Sequence, residues 1–231
     1  MARFARIVAA GVPHHVTQHG AGRGPVFRSD QDYALYLALV VEHCRKTRTS
    51  VLAYGLLPKS VHLIVVPRTA DSLRKALGQA HKRFAAAMKR RHGRDGKLWH
   101  ARFASFPLDQ AAMPASARFI ETAPVRAGLA ANARAWRWSS ARAHLSGADD
   151  DVVSVGRVLK AAPDWRAFLA EGTPLKDRQT IDSRIRTGRP MGSAQFVAEL
   201  EQKLGRVLAK QKPGPKPKRR KQQAEKRRTT K

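Results

Sequence analysis

Histidines are the side chains in this sequence best suited to binding a metal ion. His62 lies in the strand-like segment 60–66 (SVHLIVV), where alternation places Ser60 and His62 on one face and Val61 on the other. The other candidate ligands follow no metal-binding spacing, so we expect surface or loop positions for His14, His15, His81, His92 and His100.

The three tyrosines and the single cysteine are expected to be structural. A lone cysteine cannot form an internal disulfide. Tyr54 lies in a strand-like segment that precedes the turn Pro58-Lys59. If this is a two-residue turn, Tyr54 pairs with Leu63 and points to the face opposite His62. The other two tyrosines and the cysteine lie at core spacing on one predicted helix: Tyr33, Tyr36 and Cys44.

The elements that must position these residues follow the order β-α-β-β-α-β, with one further helix. Strand-like patterns cover 14–19, 50–57, 60–66 and 103–108. Helical patterns begin near Ser29 and Ser72 and run over about 114–122. This order predicts an α+β fold, a ferredoxin-like antiparallel sheet with its helices on one face.

The chain divides into three parts by composition. Residues 1–148 carry the sheet pattern, and the acidic run 149–151 marks a boundary. Short helical patterns in residues 149–209 predict a helical C-terminal extension. Residues 210–231 hold eleven basic residues against one acid and almost nothing apolar, which predicts a disordered basic tail.

The charge of the chain points to a polyanionic partner. Lysine and arginine number 45 against 17 acidic residues, a formal charge of +28, and +18 of this lies outside the tail. DNA, RNA and an anionic membrane surface all fit that charge. No apolar run is long enough to cross a bilayer and the N-terminus lacks a signal-peptide pattern, so a cytoplasmic protein without a membrane partner is expected.

Basic residues at several positions are candidate contacts to nucleic-acid phosphates. Most lie on one face of the second predicted helix, where a solvated basic face is an equal alternative. Others lie in the segments WHARF (99–103), APVR (123–126) and TGRP (187–190). Trp99 and Phe103 suit either base stacking or the core, and the core is favoured for Phe103. The candidates are Lys82, Arg83, Lys89, Arg90, Arg91, Arg102, Arg126 and Arg189.

Five segments together resemble the REP-associated tyrosine transposases. These are HUH single-tyrosine transposases that act on single-stranded DNA. The resemblance covers about residues 12–147, and the stretch RTGRPMGSAQFVAELEQKLGR is similar to longer members. The segments are HHVTQHGAGRGPVF, LPKSVHLIVVP, GKLWHARF, ARFIETAPVRAGL and WRWSSARAHL.

The resemblance implies a site that has lost most of its chemistry. In this family two histidines of one strand bind Mg²⁺ or Mn²⁺, a helical tyrosine attacks the DNA, and an Asn or Gln four residues later completes the metal site. The first histidine position holds Ser60, the tyrosine position holds Phe119 and the amide position holds Ala123. By this resemblance His62 remains as a remnant metal ligand. One imidazole and one hydroxyl make a weak metal site, so no metal cofactor is expected.

Three functions stay open at this point. The first is a DNA-binding protein that grips hairpin or single-stranded DNA, with REP-type palindromes as targets by resemblance and a homodimer as one expectation, without cutting. The second is an active transposase that cleaves and rejoins DNA with a metal ion. The third is an RNA-binding protein, because charge does not separate RNA from DNA.

Overall fold

The structure is a computed structural model that describes residues 6–93 and 96–209. The tail predicted for 210–231 lies outside the described residues. Within the described ranges, no helix has the length and apolar character needed to cross a membrane.

Four antiparallel strands form one sheet in the order β2-β3-β1-β4, and the predicted α+β fold class is confirmed. β1 and β3 occupy the two central positions, so the segment that carries His62 lies in the middle of the sheet. The strands are β1 (His14–His19), β2 (Ser50–Leu57), β3 (Ser60–Val66) and β4 (Ala104–Pro107).

The helices follow the order expected from the sequence. Two long helices alternate with the strands, and seven shorter ones follow the sheet. The helices are α1 (Asp30–Lys46), α2 (Ser72–His92), α3 (Met113–Glu121), α4 (Ala123–Arg126), α5 (Ala141–Ser146), α6 (Gly156–Ala161), α7 (Trp165–Ala170), α8 (Leu175–Thr187) and α9 (Ala194–Leu204).

The β2–β3 hairpin has the predicted register. Tyr54 pairs with Leu63 and Gly55 pairs with His62. A Cβ atom at Gly55 would lie 2.9 Å from both the carbonyl oxygen and the Cγ2 atom of Ile120 in α3. Glycine at this position therefore lets α3 approach the sheet directly beside His62.

The two faces of the sheet are covered by different helices. On one face, α1 and α2 enclose a core with strand residues such as Val16 and Leu63. On the other face, α3 packs over Ile64 and Phe106. The two long helices share one face, as predicted, and α3 covers the opposite face.

The C-terminal extension shares its core with α3. The buried side chains of Val158, Trp165 and Ile181 belong to the cluster that contains Ile120. A buried carboxylate links α3 to the extension, because Glu121 on α3 accepts a hydrogen bond from Trp165 Nε1 on α7 at 3.0 Å. The boundary at 149–151 stays a prediction from composition.

Candidate nucleic-acid interface

The sheet face beneath α3 collects three histidines. Thr17 lies opposite His62 in the β1–β3 register, and His19 lies opposite Ser60. Because residues two apart on a strand share a face, His15, Thr17 and His19 face the same side as Ser60 and His62. The end of this face that carries His19 reaches solvent, whereas His15 is fully buried.

A chain of hydrogen bonds runs through the buried part of this face. His15 Nδ1 lies 2.7 Å from Ser116 Oγ on α3, and His15 Nε2 lies 3.2 Å from His62 Nδ1. Burial lowers the pKa of His15 to about 3. Burial also holds the pKa of His62 well below its ordinary value, with smaller effects from His15, His19 and Arg126. Both rings are therefore neutral at pH 7, and the ring nitrogen that carries each proton is set by this chain.

The surface or loop positions predicted for three histidines are wrong. His14 and His15 lie on β1, which is buried between two strands, and His81 lies on the inner face of α2. Each ring has a partner that permits its burial. His81 Nε2 lies 2.8 Å from Tyr36 Oη, and His14 Nε2 accepts a hydrogen bond from the backbone N–H of Ala9 at 3.2 Å.

The other two histidines of that set differ from each other. His100 is exposed, as predicted. His92 ends α2 and is half-buried, with Nε2 3.0 Å from a carboxylate oxygen of Asp32. His92 is therefore not a free surface group, and its position follows from the buried carboxylate that it meets.

Phe119 occupies the helix position that faces His62. Their ring centroids are 5.9 Å apart in an edge-to-face arrangement, and Phe119 is buried. A phenyl ring has no oxygen with which to attack a phosphate. Ala123, four residues later, is also buried and offers only a methyl group. The pair supplies apolar surface where the resemblance implies a nucleophile and an amide.

No tyrosine lies on the His62 face of the sheet, where the resemblance implies a nucleophile. Tyr54 points to the opposite face, as its pairing with Leu63 requires, and burial raises its pKa. Tyr33 and Tyr36 lie in the α1–α2 core, and burial raises the pKa of Tyr33 to about 12. All three phenols are therefore far from the ionised form of a nucleophile.

The residues at this site do not fit the divalent ion that the resemblance implies. Mg²⁺ and Mn²⁺ prefer oxygen ligands in octahedral arrangement. One nitrogen of His62 is engaged by His15, Ser60 offers a single hydroxyl, and Ala123 offers no donor. Across the residues that the structure describes, no group of three or more His, Cys, Asp or Glu side chains is placed to hold a metal.

Exposed basic residues meet where β1 ends and β3 begins, beside Ser60. Three hydrogen bonds bring the segments together: Gly20 N–H to the Lys59 carbonyl at 2.9 Å, His100 N–H to the His19 carbonyl at 2.9 Å, and Gln18 Nε2 to the Ala101 carbonyl at 2.8 Å. The segments 17–28, 57–62 and 96–103 contain no acidic residue. We call five of their exposed basic residues the strand-end rim: His19, Arg23, Lys59, His100 and Arg102.

A cleft lies between α2 and the segment that leads to the rim. Its volume is about 360 Å³, and its lining combines the apolar side chains of Met88 and Trp99 with Lys89 and Lys97. Trp99 is half-buried and donates its indole N–H to the His81 carbonyl at 3.1 Å, so its ring is held in place. Phe103 is buried in the core, as favoured from the sequence. A fixed aromatic ring beside two ammonium groups suits an unpaired base and its phosphate.

The basic residues proposed on α2 divide into two groups. Arg83 binds Glu42 at 2.7 Å, and Arg91 binds the buried Asp32 at 2.7 Å. The other members are exposed and form no ion pair within the described residues: Lys82, Lys89 and Arg90. The sequence pattern did not separate these groups, because both acidic partners lie on α1.

The three remaining candidates lie in three different places. Arg102 belongs to the strand-end rim. Arg189 is half-buried and donates to the Leu208 carbonyl at 2.7 Å, so part of its guanidinium is used within the chain. Arg126 lies against Phe119, with its guanidinium carbon 4.4 Å from the ring centroid. Of the three, Arg126 is the cation nearest to the His62 face, and its charge is one of those that lower the pKa of His62.

The arrangement of sheet and helices is shared with a solved protein. A REP-associated tyrosine transposase, determined bound to a REP hairpin, is similar over 67% of this chain and 92% of its own, with a TM-score of 0.55 at 18% identity. The fold is transposase-like. A protein from Deinococcus radiodurans R1 described as a transposase aligns over 55% of this chain and 92% of its own, with a TM-score of 0.36 at 15% identity. No family model and no curated protein matches the sequence.

Proposed function

We propose that this protein binds hairpin or single-stranded DNA in the cytoplasm and does not cut it through a tyrosine. Support for the ligand comes from the similar transposase, which is bound to a REP hairpin. The absence of a tyrosine attack follows from the phenyl ring of Phe119 beside His62. A homodimer stays a prediction, which light scattering of the purified protein would check.

The observation that carries the proposal is the strand-end rim. Its cations Arg23, Lys59 and Arg102 form no ion pair within the described residues, and the segments that hold them contain no acidic residue, so their positive charge is available to a polyanion. A flexible polyanion that enters beside Ser60 would meet Lys59 and Arg102 first. The cleft at Trp99 adds an aromatic surface for a base that is not paired.

The test is a comparison of nucleic acids and of matched variants. Fluorescence anisotropy would measure binding to a REP-type DNA hairpin, an unstructured DNA strand, a DNA duplex and the RNA form of the hairpin. We expect the DNA hairpin or the unstructured strand to bind most tightly. Tighter binding to the RNA hairpin would instead support the RNA-binding function.

A pair of double variants isolates the rim. Lys59→Ala with Arg102→Ala removes two rim charges, and we expect affinity to fall about tenfold or more. Arg45→Ala with Arg68→Ala removes two exposed charges at the other end of the β2–β3 hairpin, where Ser50 pairs with Val66. Equal losses from both variants would show non-specific attraction and would contradict a binding site at the rim.

A further inference from the structure

A second cleft, remote from the one at Trp99, lies between α5, α7 and a short 3-10 helix, Ala133–Ala135. Its volume is about 770 Å³. Sites for small molecules have volumes of roughly 300–1,000 Å³, so the cleft has a suitable size for such a ligand. Each of the three helices contributes one exposed arginine to the lining: Arg134, Arg142 and Arg166. We call this site the arginine cleft.

The buried carboxylate of Glu121 holds two walls of the arginine cleft together. His144 on α5 and Trp165 on α7 both bond to this carboxylate, at 2.5 and 3.0 Å, and their rings are 5.2 Å apart. Arg142 lies two residues before His144. Arg166 directly follows Trp165. The buried contacts therefore fix the two backbone positions from which these arginine side chains extend.

A hydrogen bond holds the third wall against the first. Arg142 Nε donates to the Arg134 carbonyl at 2.9 Å, so the side chain of Arg142 lies against the 3-10 helix. Asn132 caps that helix, because its Oδ1 accepts from the N–H of Ala135 at 2.9 Å. All three arginines are therefore carried by segments with defined positions.

Two carboxylates also line the arginine cleft, and both serve the backbone. Asp150 Oδ1 accepts from the N–H groups of Val152 and Val153, at 2.7 and 2.8 Å. Asp149 Oδ1 accepts from the N–H of Val155 at 2.8 Å. These bonds shape the turn that follows α5 on one side of the cleft. The presence of the two acids is thus explained without the arginines.

The arginines, in contrast, have no internal partner that explains their number. Among the described residues, none of the three forms an ion pair, and the guanidinium groups of Arg134 and Arg166 form no hydrogen bond. The planar fork of a guanidinium group can donate two parallel hydrogen bonds to phosphate oxygens. Three such groups around one cleft therefore suit a phosphate-bearing ligand.

We propose that the arginine cleft binds the phosphate group of a nucleotide. The cleft shares no residue with the strand-end rim, but both lie along β2. Trp136, which follows the 3-10 helix, donates its indole N–H to the Leu56 carbonyl at 2.9 Å, and Lys59 of the rim comes three residues after Leu56. The nucleotide is therefore either part of a DNA strand held at the rim or a free mononucleotide. Only the first source rests on the proposed function.

The first test is a calorimetric titration of the full chain with deoxyadenosine monophosphate at low salt, with deoxyadenosine as the control ligand. Arg134→Ala with Arg166→Ala removes two guanidinium groups without internal contacts, so the fold should be intact. We expect this cleft variant to bind the monophosphate about tenfold more weakly or less. Arg178→Ala with Arg186→Ala removes the same charge from exposed positions on α8 outside the cleft, and should change affinity less than about twofold. Deoxyadenosine, which has no phosphate, should bind none of the proteins.

The second test measures hairpin DNA binding of the same variants by anisotropy over a range of salt concentrations. If the DNA supplies the phosphate, the cleft variant should bind more weakly than the control variant. Its slope of log affinity against log salt should also be smaller by roughly 0.7, the value for one single-strand phosphate contact. If a free nucleotide is the ligand, the two variants should bind the hairpin equally, and only the monophosphate should distinguish them.

The inference is overturned if the cleft variant matches the control variant in both assays. Circular dichroism of each variant would establish that the helices are intact, so that a loss of fold is not mistaken for a loss of contact. If the unmodified protein binds no hairpin, the proposed function fails and the monophosphate titration alone decides the fate of the cleft. If the hairpin binds at the rim while the cleft variant matches its control throughout, the proposed function stands and the arginine cleft is wrong.

Discussion

The imidazole of His62 on β3 meets that of His15 on β1, with Nδ1 of the former 3.2 Å from Nε2 of the latter. The contact links two central strands and continues to Ser116 on α3. The contact with His15 occupies Nδ1 of His62, so only Nε2 is left to bind a metal ion or a phosphate. His62 is therefore part of a buried hydrogen-bond chain.

We expect stability to fall steeply as the pH is lowered. Burial lowers the pKa of His81 and His15 to about 3 and, against a backbone hydrogen bond, that of His14 to about 4, from 6.5 for a free imidazole. Below pH 6.5 the unfolded chain binds protons that the folded chain does not, so stability is present above 6.5 and is lost between 6.5 and about 4. Each such histidine contributes about 1.4 kcal/mol per pH unit in that window.

Urea unfolding at several pH values would measure this slope. His81→Gln should reduce it by one proton, because glutamine does not titrate and can still bond to Tyr36. The exposed His100→Gln is the control and should leave the slope as it is. If His81→Gln and the unmodified protein have the same slope, burial does not lower the pKa of His81 in the folded chain.

Substitution should separate the roles of the nucleophile and of the metal ligands that the resemblance implies. Phe119→Tyr restores a hydroxyl beside His62, but we expect no covalent adduct with DNA, because the donors at positions 60 and 123 are still absent. The triple variant Ser60→His, Phe119→Tyr, Ala123→Asn should form an adduct when Mg²⁺ or Mn²⁺ is added. The measurement is a denaturing protein gel with labelled hairpin DNA.

Either of two results would contradict that reading of the site. An adduct from Phe119→Tyr alone would mean that the present donors suffice. A triple variant that folds and binds DNA but forms no adduct would mean that these three positions do not come together as the resemblance implies.

Glu121 should be among the most costly residues to remove. Its carboxylate is fully buried and accepts hydrogen bonds from Ser140 Oγ and His144 Nδ1 at 2.5 Å and from Trp165 Nε1 at 3.0 Å. Glu121→Ala leaves two buried donors, His144 Nδ1 and Trp165 Nε1, without a partner, whereas Ser140 Oγ can still donate to the Tyr54 carbonyl. We expect a loss of about 3–5 kcal/mol in the free energy of unfolding. The exposed Glu199→Ala should change it by less than about 0.5 kcal/mol.

Chemical denaturation followed by tryptophan fluorescence would check this, because Trp165 reports the same site. A loss below about 1 kcal/mol for Glu121→Ala would show that the buried network contributes little net stability.

The basic residues of α2 should differ in what they contribute. Lys89→Ala with Arg90→Ala should weaken DNA binding and lower the salt slope by roughly 1.4, two single-strand contacts, with little change in stability. Arg91→Ala should instead cost about 1–2 kcal/mol of stability, because the buried Asp32 loses a partner. Anisotropy and urea unfolding of both variants would test this, and the reverse assignment of effects would refute it.

The order of elements along the chain, the hairpin register and the two long helices could be predicted because they rest on local patterns. Tyr54 opposite Leu63 follows from a two-residue turn and alternation alone. The burial of His15 could not be predicted, because its hydrogen-bond partner Ser116 lies 101 residues away in the sequence. One clue was present: His15 shares a strand face with His19, and that face continues through His62.

The contribution of the extension was also beyond the sequence. Its helices show weak periodicity, and nothing local indicates that Thr173 meets Thr122 and Arg126. Such contacts arise when a segment packs onto a core formed by distant residues.

The most direct test of the central claim is a pair of gels on one reaction. Purified protein would be mixed with labelled single-stranded hairpin DNA and Mg²⁺ or Mn²⁺, with a chelator control. A native gel reports binding, and a denaturing gel reports cleavage and covalent attachment. We predict a shifted native band with intact, unattached DNA on the denaturing gel. Cleaved DNA joined to the protein through one of its three tyrosines would contradict the account.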